Sequence, residues 1–130
     1  MTNTVISIMS NAVTSVTSDY DVEDIEKIMD RYKISCLPVS DDVGRCIGII
    51  SEADLIHCHN SKNSTDQIQA RDICTQPVVE ITPNTSVTVA TNLMLENNIH
   101  HLVVVSNDTL VGILSSMDLL AYFAEGKGVL

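Results

Sequence analysis

Basic side chains are scarce in this chain. Seven Lys and Arg stand against seventeen Asp and Glu, a formal charge of −10. Such a surface repels nucleic acid and anionic lipid, and no basic run offsets it locally, so neither DNA nor RNA is an expected partner. Aromatics are nearly missing, with one Phe, three Tyr and no Trp, so a core has to be assembled from Ile, Val, Leu and Met. No apolar stretch approaches the roughly 20 residues that span a bilayer. The start, Met1-Thr2-Asn3-Thr4, lacks the basic flank of a signal peptide. These absences point to a cytoplasmic protein without a membrane. Cys36, Cys46, Cys58 and Cys74 match no zinc spacing and read as reduced thiols. What remains, 130 residues with an ordinary 45% hydrophobic content, fits one compact module.

What is present is a sentence written twice. Ile47-Gly48-Ile49-Ile50-Ser51-Glu52-Ala53-Asp54-Leu55-Ile56 returns as Val111-Gly112-Ile113-Leu114-Ser115-Ser116-Met117-Asp118-Leu119-Leu120, with Gly, Ile, Ser, Asp and Leu in the same places. Each copy starts as a branched apolar run, which suits a buried strand, and then meets Ser with Asp three residues on, which suits a helix start. Each therefore reads strand, sharp turn, helix, with a hydroxyl and a carboxylate beside free helix amides. The match extends upstream at an offset of 65: Ile25–Met29 with Ala90–Met94, Ile34–Val39 with Ile99–Val104, and Ile8–Val13 with Ile73–Val78. The chain is thus two copies of a β-α-β-β-α unit, an α+β fold.

Read in order, residues 4–10 are a lead-in with a short helical turn, matched by 70–74. A strand is predicted over 13–17, capping residues over 18–21, and then a helix with Val22, Ile25, Ile28, Met29 and Tyr32 on its inner face. Strands follow at 36–40 and 46–51, and a helix at 52–59. The polar stretch 61–69 is the linker between repeats. The second copy supplies a strand over 78–82, a break and cap over 83–86, and a helix with Val87, Ala90, Leu93 and Met94 inward. Strands over 101–105 and 110–115 and a helix over 116–123 complete it, with Gly126 and Gly128 in a tail.

The ordered set, a helix with Met near its end, Ile-x-x-Leu-Pro-Val, a polar turn, then Gly-Ile-hydrophobic-Ser-x-x-Asp-Leu, resembles the cystathionine-β-synthase (CBS) domain. Here it stands as a tandem pair, a Bateman module, with repeats at about 5–60 and 70–123. The resemblance implies pseudo-two-fold symmetry, a homodimer, and an adenosine-type ligand in the cleft between repeats. It also implies that Asp54 and Asp118 bond the ribose hydroxyls and that Ser51 and Ser115 meet phosphate. Helix amides and a hydroxyl suit phosphate oxygens, and an ionised carboxylate suits paired hydroxyls. The same Ser-x-x-Asp spacing is equally a capping box, and the two roles can coexist.

The resemblance places the adenine slot along Val16, Cys36 and Pro38 in one copy and Ile81, His101 and Val103 in the other, where Val103 replaces the usual Pro. Glu80 lies near the second slot. Cations are few, and Arg71, just before the second lead-in, is the one placed where family members reach phosphate. A monophosphate, a nucleoside or a sulfonium compound such as S-adenosylmethionine is easier to accommodate on this acidic chain than ATP. His57-Cys58-His59 does not make a metal site, because residues two apart on a helix face different ways.

Nothing in the chain supplies a nucleophile with its base, a metal cluster or a tuned acid–base pair, so it is not read as an enzyme, and no obligatory cofactor is expected. The leading reading is a stand-alone sensor that binds an adenosine nucleotide or S-adenosylmethionine and signals to an effector protein. The rival is a ligand-free dimerisation scaffold whose Ser-x-x-Asp pairs only cap helices. A thiol-based metal or redox sensor is a third reading.

Overall fold

Both copies of the repeated sentence form a strand that turns directly into a helix. The computed structural model describes residues 3–11, 14–61 and 67–126. A 3-10 turn, Val5–Ser7, opens the chain and is followed by β1 (Ser10–Asn11), β2 (Val16–Thr17), α1 (Val22–Tyr32), β3 (Cys36–Ser40), β4 (Cys46–Ser51) and α2 (Glu52–Ser61). The second half runs α3 (Ala70–Ile73), β5 (Glu80–Ile81), α4 (Val87–Asn97), β6 (His101–Ser106), β7 (Thr109–Ser115) and α5 (Ser116–Ala124).

Two sheets result, in the orders β2-β3-β4 and β1-β7-β6-β5. In each, a short strand runs parallel to the first strand of a hairpin: β2 beside β3, and β5 beside β6. The hairpins β3–β4 and β6–β7 are antiparallel, and both shift register at the same point of the repeat, between Val39 and Ser40 and between Val104 and Val105.

The molecule divides into two compact units, Met1–Ala12 with Val79–Leu130, and Val13–Val78. The division does not follow the repeats. Each lead-in joins the sheet of the other copy: β1 pairs antiparallel with β7, and Thr75 bridges Ile49 of β4. The same backbone bonds hold both lead-ins. Val87 N donates to Asn3 O and Val5 N to Thr85 O; in the other unit Val22 N donates to Ile68 O and Ala70 N to Tyr20 O.

Each unit has its own core. In one, Val5, Ala90, Leu102, Val104 and Leu114 are fully buried, with Met94 and Leu119 beside them. In the other, Ile25, Leu37, Val39, Ile50 and Ala70 are fully buried, with Met29. With no Trp and few aromatics, branched aliphatics and Met fill most of both, but the core around Val5 and Leu102 also takes in Tyr122, with Phe123 packed against it.

Three sequence expectations are corrected here. The strands predicted over 13–17 and 78–82 shrink to two residues each, because they lie at sheet edges where only a short stretch finds a partner; Val13 lies outside the described residues. Tyr32, predicted to face inward, remains 48% exposed. It ends its helix where Lys33 turns left-handed, and the Arg31 guanidinium lies 5.8 Å from its ring centre. Asp21 at the start of α1 makes no side-chain cap, and the Val22 amide donates instead to the Ile68 carbonyl. The linker residues 62–66 and the tail with Gly128 lie outside the described residues.

Candidate functional site

The strand-to-helix junctions carry the same bonds twice. Ser51 N donates to Asp54 Oδ2 at 2.8 Å and Asp54 N to Ser51 Oγ at 3.3 Å. Ser115 N donates to Asp118 Oδ2 at 2.8 Å and Asp118 N to Ser115 Oγ at 3.1 Å. Each is a reciprocal capping box, worth about 0.5–2 kcal/mol of helix stability. The next amide of each helix is also spoken for: Glu52 N donates to Ser35 O at 3.2 Å and Ser116 N to His100 O at 2.9 Å. The helix amides expected to be free are therefore largely occupied, because the residue just before β3 or β6 lies close enough to satisfy the first of them. Each carboxylate spends Oδ2 on its cap. Asp54 Oδ1 stands 3.5 Å from Thr75 Oγ1.

Strand register decides which candidates share a surface. Cys36 lies directly opposite Ser51, and Pro38 opposite Ile49. In the other unit His101 lies opposite Ser115, and Val103 opposite Ile113. Directly opposed residues of an antiparallel pair project to one face of the sheet. Cys36, Pro38 and Ser51 thus form one row, and His101, Val103 and Ser115 its counterpart. The alternate residues Leu37, Val39 and Ile50 face the core, as do Leu102, Val104 and Leu114.

Val16 and Ile81 do not join these rows. Val16 pairs in register with Val39 and Ile81 with Val104, and both side chains belong to the cores. Their presence in the slot is corrected for side chains, since a parallel partner puts its side chain on the same face as its neighbour. Glu80 is exposed and sits in register with Val103.

Arg71 is exposed on α3, in the same unit as Ser51 and Asp54. Its guanidinium donates to the Gln69 side chain, and its amide donates to Ser18 O. Asp19 is held below the usual carboxylate range, first by the Thr17 hydroxyl, then by its own amide, with Arg71 adding a smaller pull. The matching position in the other unit is Ile6, 58% exposed, so the two units differ in charge at this point.

A cavity of about 660 Å³ opens beside Asp54, and His57, Cys58, Asp72 and Ile73 also line it. Burial, helped by Cys46 and then Asp54, pushes the Cys36 thiol up to about 12. The three residues 57–59 separate as helical geometry requires: Cys58 is buried, His57 lines the cavity, and His59 pairs with Glu26 of α1. No group of three His, Cys, Asp or Glu arranged for a metal occurs among the described residues.

Residue reading missed Thr75, Ile49 and Ile113. The first was legible only as the repeat partner of Ser10. The other two are apolar residues whose position depends on strand register.

An internally doubled α+β unit with a hydroxyl–carboxylate pair at each strand-to-helix junction defines the class of this molecule. The CBS domain profile matches residues 5–60 and 70–125, and the chain belongs to the CBS domain family. An uncharacterized 17.7 kDa protein of Acidianus ambivalens is 30% identical over 120 residues, covering 92% of this chain and 72% of that protein. The gamma-3 subunit of 5'-AMP-activated protein kinase from Sus scrofa is 26% identical over 104 residues, covering 74% of this chain and 20% of the subunit. The crystal structure of CBSX2 in complex with AMP superposes with a TM-score of 0.77 at 26% identity, covering 96% of this chain and 98% of that one. No helix among the described residues is long and apolar enough to cross a membrane.

Proposed function

We propose that this protein is a regulatory module that binds an adenosine-containing small molecule at its Ser-x-x-Asp junctions and reports occupancy to a partner protein. The observation that carries this reading is the doubled carboxylate: Asp54 and Asp118 each hold a helix start through Oδ2 alone, in two units with the same register around them. An ionised carboxylate so placed accepts from adjacent ribose hydroxyls while keeping its cap. Cys36, Pro38 and Ser51, and His101, Val103 and Ser115, are the side chains beside it. Arg71 is an exposed cation of the unit that holds Ser51 and Asp54. The AMP complex of CBSX2 and the AMP-activated kinase subunit support an adenosine ligand. AMP or S-adenosylmethionine, carrying less negative charge than ATP, suits a chain of −10 better. A regulator rather than a catalyst is the consistent role, because binding that favours one of two states is sufficient to signal.

Titration calorimetry with AMP, ATP and S-adenosylmethionine on the whole chain tests this. Asp54→Asn and Asp118→Asn preserve an acceptor for the Ser amide but remove the charge, so the fold should persist while affinity drops about tenfold or more at the occupied unit. Silence with all three compounds, or normal binding in both variants, would overturn the reading.

The scaffold alternative rests on the capping boxes being complete without any ligand, and on Ile56 of α2 and Met117 and Leu120 of α5, each at least 60% exposed. Those apolar side chains support self-association as a homodimer.

A further inference from the structure

The helices of the two copies present different chemistry. In the first copy, α1 and α2 enclose a hollow of about 450 Å³, with Met29, Ile34 and Leu55 as its floor and Glu26, Asp30, Lys33 and Glu52 around it. Lys33 lies 3.9 Å from Asp30, but both side chains are more than 80% exposed, so the pair offsets little charge. Glu26 pairs with His59. Lys27 and Arg31 of α1 do not line the hollow.

The internal repeat shows the same frame without its acids. The floor returns as Met94, Ile99 and Leu119, whereas Glu26, Asp30 and Glu52 give way to Thr91, Leu95 and Ser116. Leu95 (73%), Met117 (69%) and Leu120 (60%) stand exposed. Glu96 and the capping Asp118 are the only charged residues of α4 and α5. One copy therefore offers an acid-rimmed hollow, and the other a projecting apolar patch of the kind that marks a contact surface.

We infer that two chains associate crosswise, with the α4 and α5 helices of one on the α1 and α2 helices of the other. This rests on the self-association reading above and adds which surfaces meet. A like-on-like contact would bring Glu26, Asp30 and Glu52 against their own images, and like charges facing across an interface disfavour it. In the crossed contact, Leu95 and Leu120 cover the partner's apolar floor, while the carboxylates stay at a polar rim. Made twice about a two-fold axis, the contact is complete at the dimer, each hollow meeting the other chain's patch.

Leu95→Lys separates the two arrangements. Leu95 is exposed, so the fold should persist, and a lysine stem still covers apolar surface. In the crossed dimer the new amine meets the partner's carboxylates; in the like-on-like dimer it meets a second amine. Sedimentation velocity on the full chain should show L95K dimerising at least as tightly as the parent, and about tenfold or more weakly once E26Q/D30N/E52Q is added. Carbodiimide, which joins an amine to a carboxylate in contact, should link position 95 of L95K to Glu26, Asp30 or Glu52 between isotopically light and heavy copies. Circular dichroism melts establish that the variants are folded. A dimeric parent whose L95K variant dissociates, or a dimer without these cross-links, would overturn the crossed contact and leave self-association standing. A parent that stays monomeric at every concentration would overturn both.

Discussion

Cys36 is the residue whose chemistry depends most on its surroundings. It sits opposite Ser51, half-buried, with burial the main cause of its thiol rising from 9.0 to about 12. A thiol so held is a small hydrophobe with a weak donor, neither a nucleophile nor a ready metal ligand. The native protein should therefore react at Cys36 with iodoacetamide at pH 8 at least about 100-fold more slowly than the unfolded chain, measured by peptide mass spectrometry. The same shift bears on stability. The unfolded thiol ionises first, so the contribution of Cys36 is intact below pH 9.0 and is lost progressively as pH rises towards 12. Cys36→Ala should flatten that alkaline loss in urea titrations at pH 8 and pH 10. An identical decline in the variant would mean that other groups cause it. The Ser–Asp pairs, by contrast, were legible from spacing alone, because a capping box is local and needs only helical geometry to form.

At the scale of elements, the repeated glycine has a reason that strand pattern alone does not reveal. A Cβ on Gly112 would lie 2.9 Å from the Ser10 carbonyl oxygen and 2.7 Å from Met9 Sδ. A Cβ on Gly48 would lie 2.8 Å from Cys74 Sγ and 3.1 Å from the Thr75 carbonyl oxygen. Both glycines therefore let a lead-in run close against the strand, in β1–β7 and in the Ile49–Thr75 bridge. The Met9 thioether can swing aside, but the Ser10 carbonyl is part of the ladder. Gly112→Ala should cost about 1–3 kcal/mol by urea denaturation, as overpacking does elsewhere. A loss below about 0.5 kcal/mol would show that the lead-in is not held this closely. Elements built from local signals, α1, α4 and the two hairpins, lay within a residue or two of where the sequence placed them. The edge strands did not, since their length is set by how much of a neighbour is available to pair with.

For the whole molecule, the consequence is that a repeat is not a folding unit. The unit Val13–Val78 combines most of the first copy with the lead-in of the second, whose Ala70 is fully buried in the core with Ile73 and Cys74 packed beside it. A fragment of residues 13–78 should show a cooperative melt by circular dichroism. A fragment of residues 1–61, cut at the repeat boundary, should not, because it lacks the segment that closes its core. If 1–61 melted as cooperatively as 13–78, the lead-in would be dispensable. At about 60 residues either piece is near the limit of what a single core can hold, so the loss of one buried segment is decisive.

The sequence by itself determined the duplication, the family, the strand–turn–helix at each Ser-x-x-Asp, and the aliphatic character of the cores. These follow from short-range periodicity, capping chemistry and composition, all readable without knowing what lies across from what. Tertiary structure alone decided the crossing of the lead-ins, the turning of Val16 and Ile81 into the cores, the occupation of the helix amides by Ser35 and His100, and the pairing of Arg71 with Gln69 and Ser18. Each of these depends on which segment lies opposite which, and pairing between segments that are not neighbours in sequence leaves no local trace in the chain.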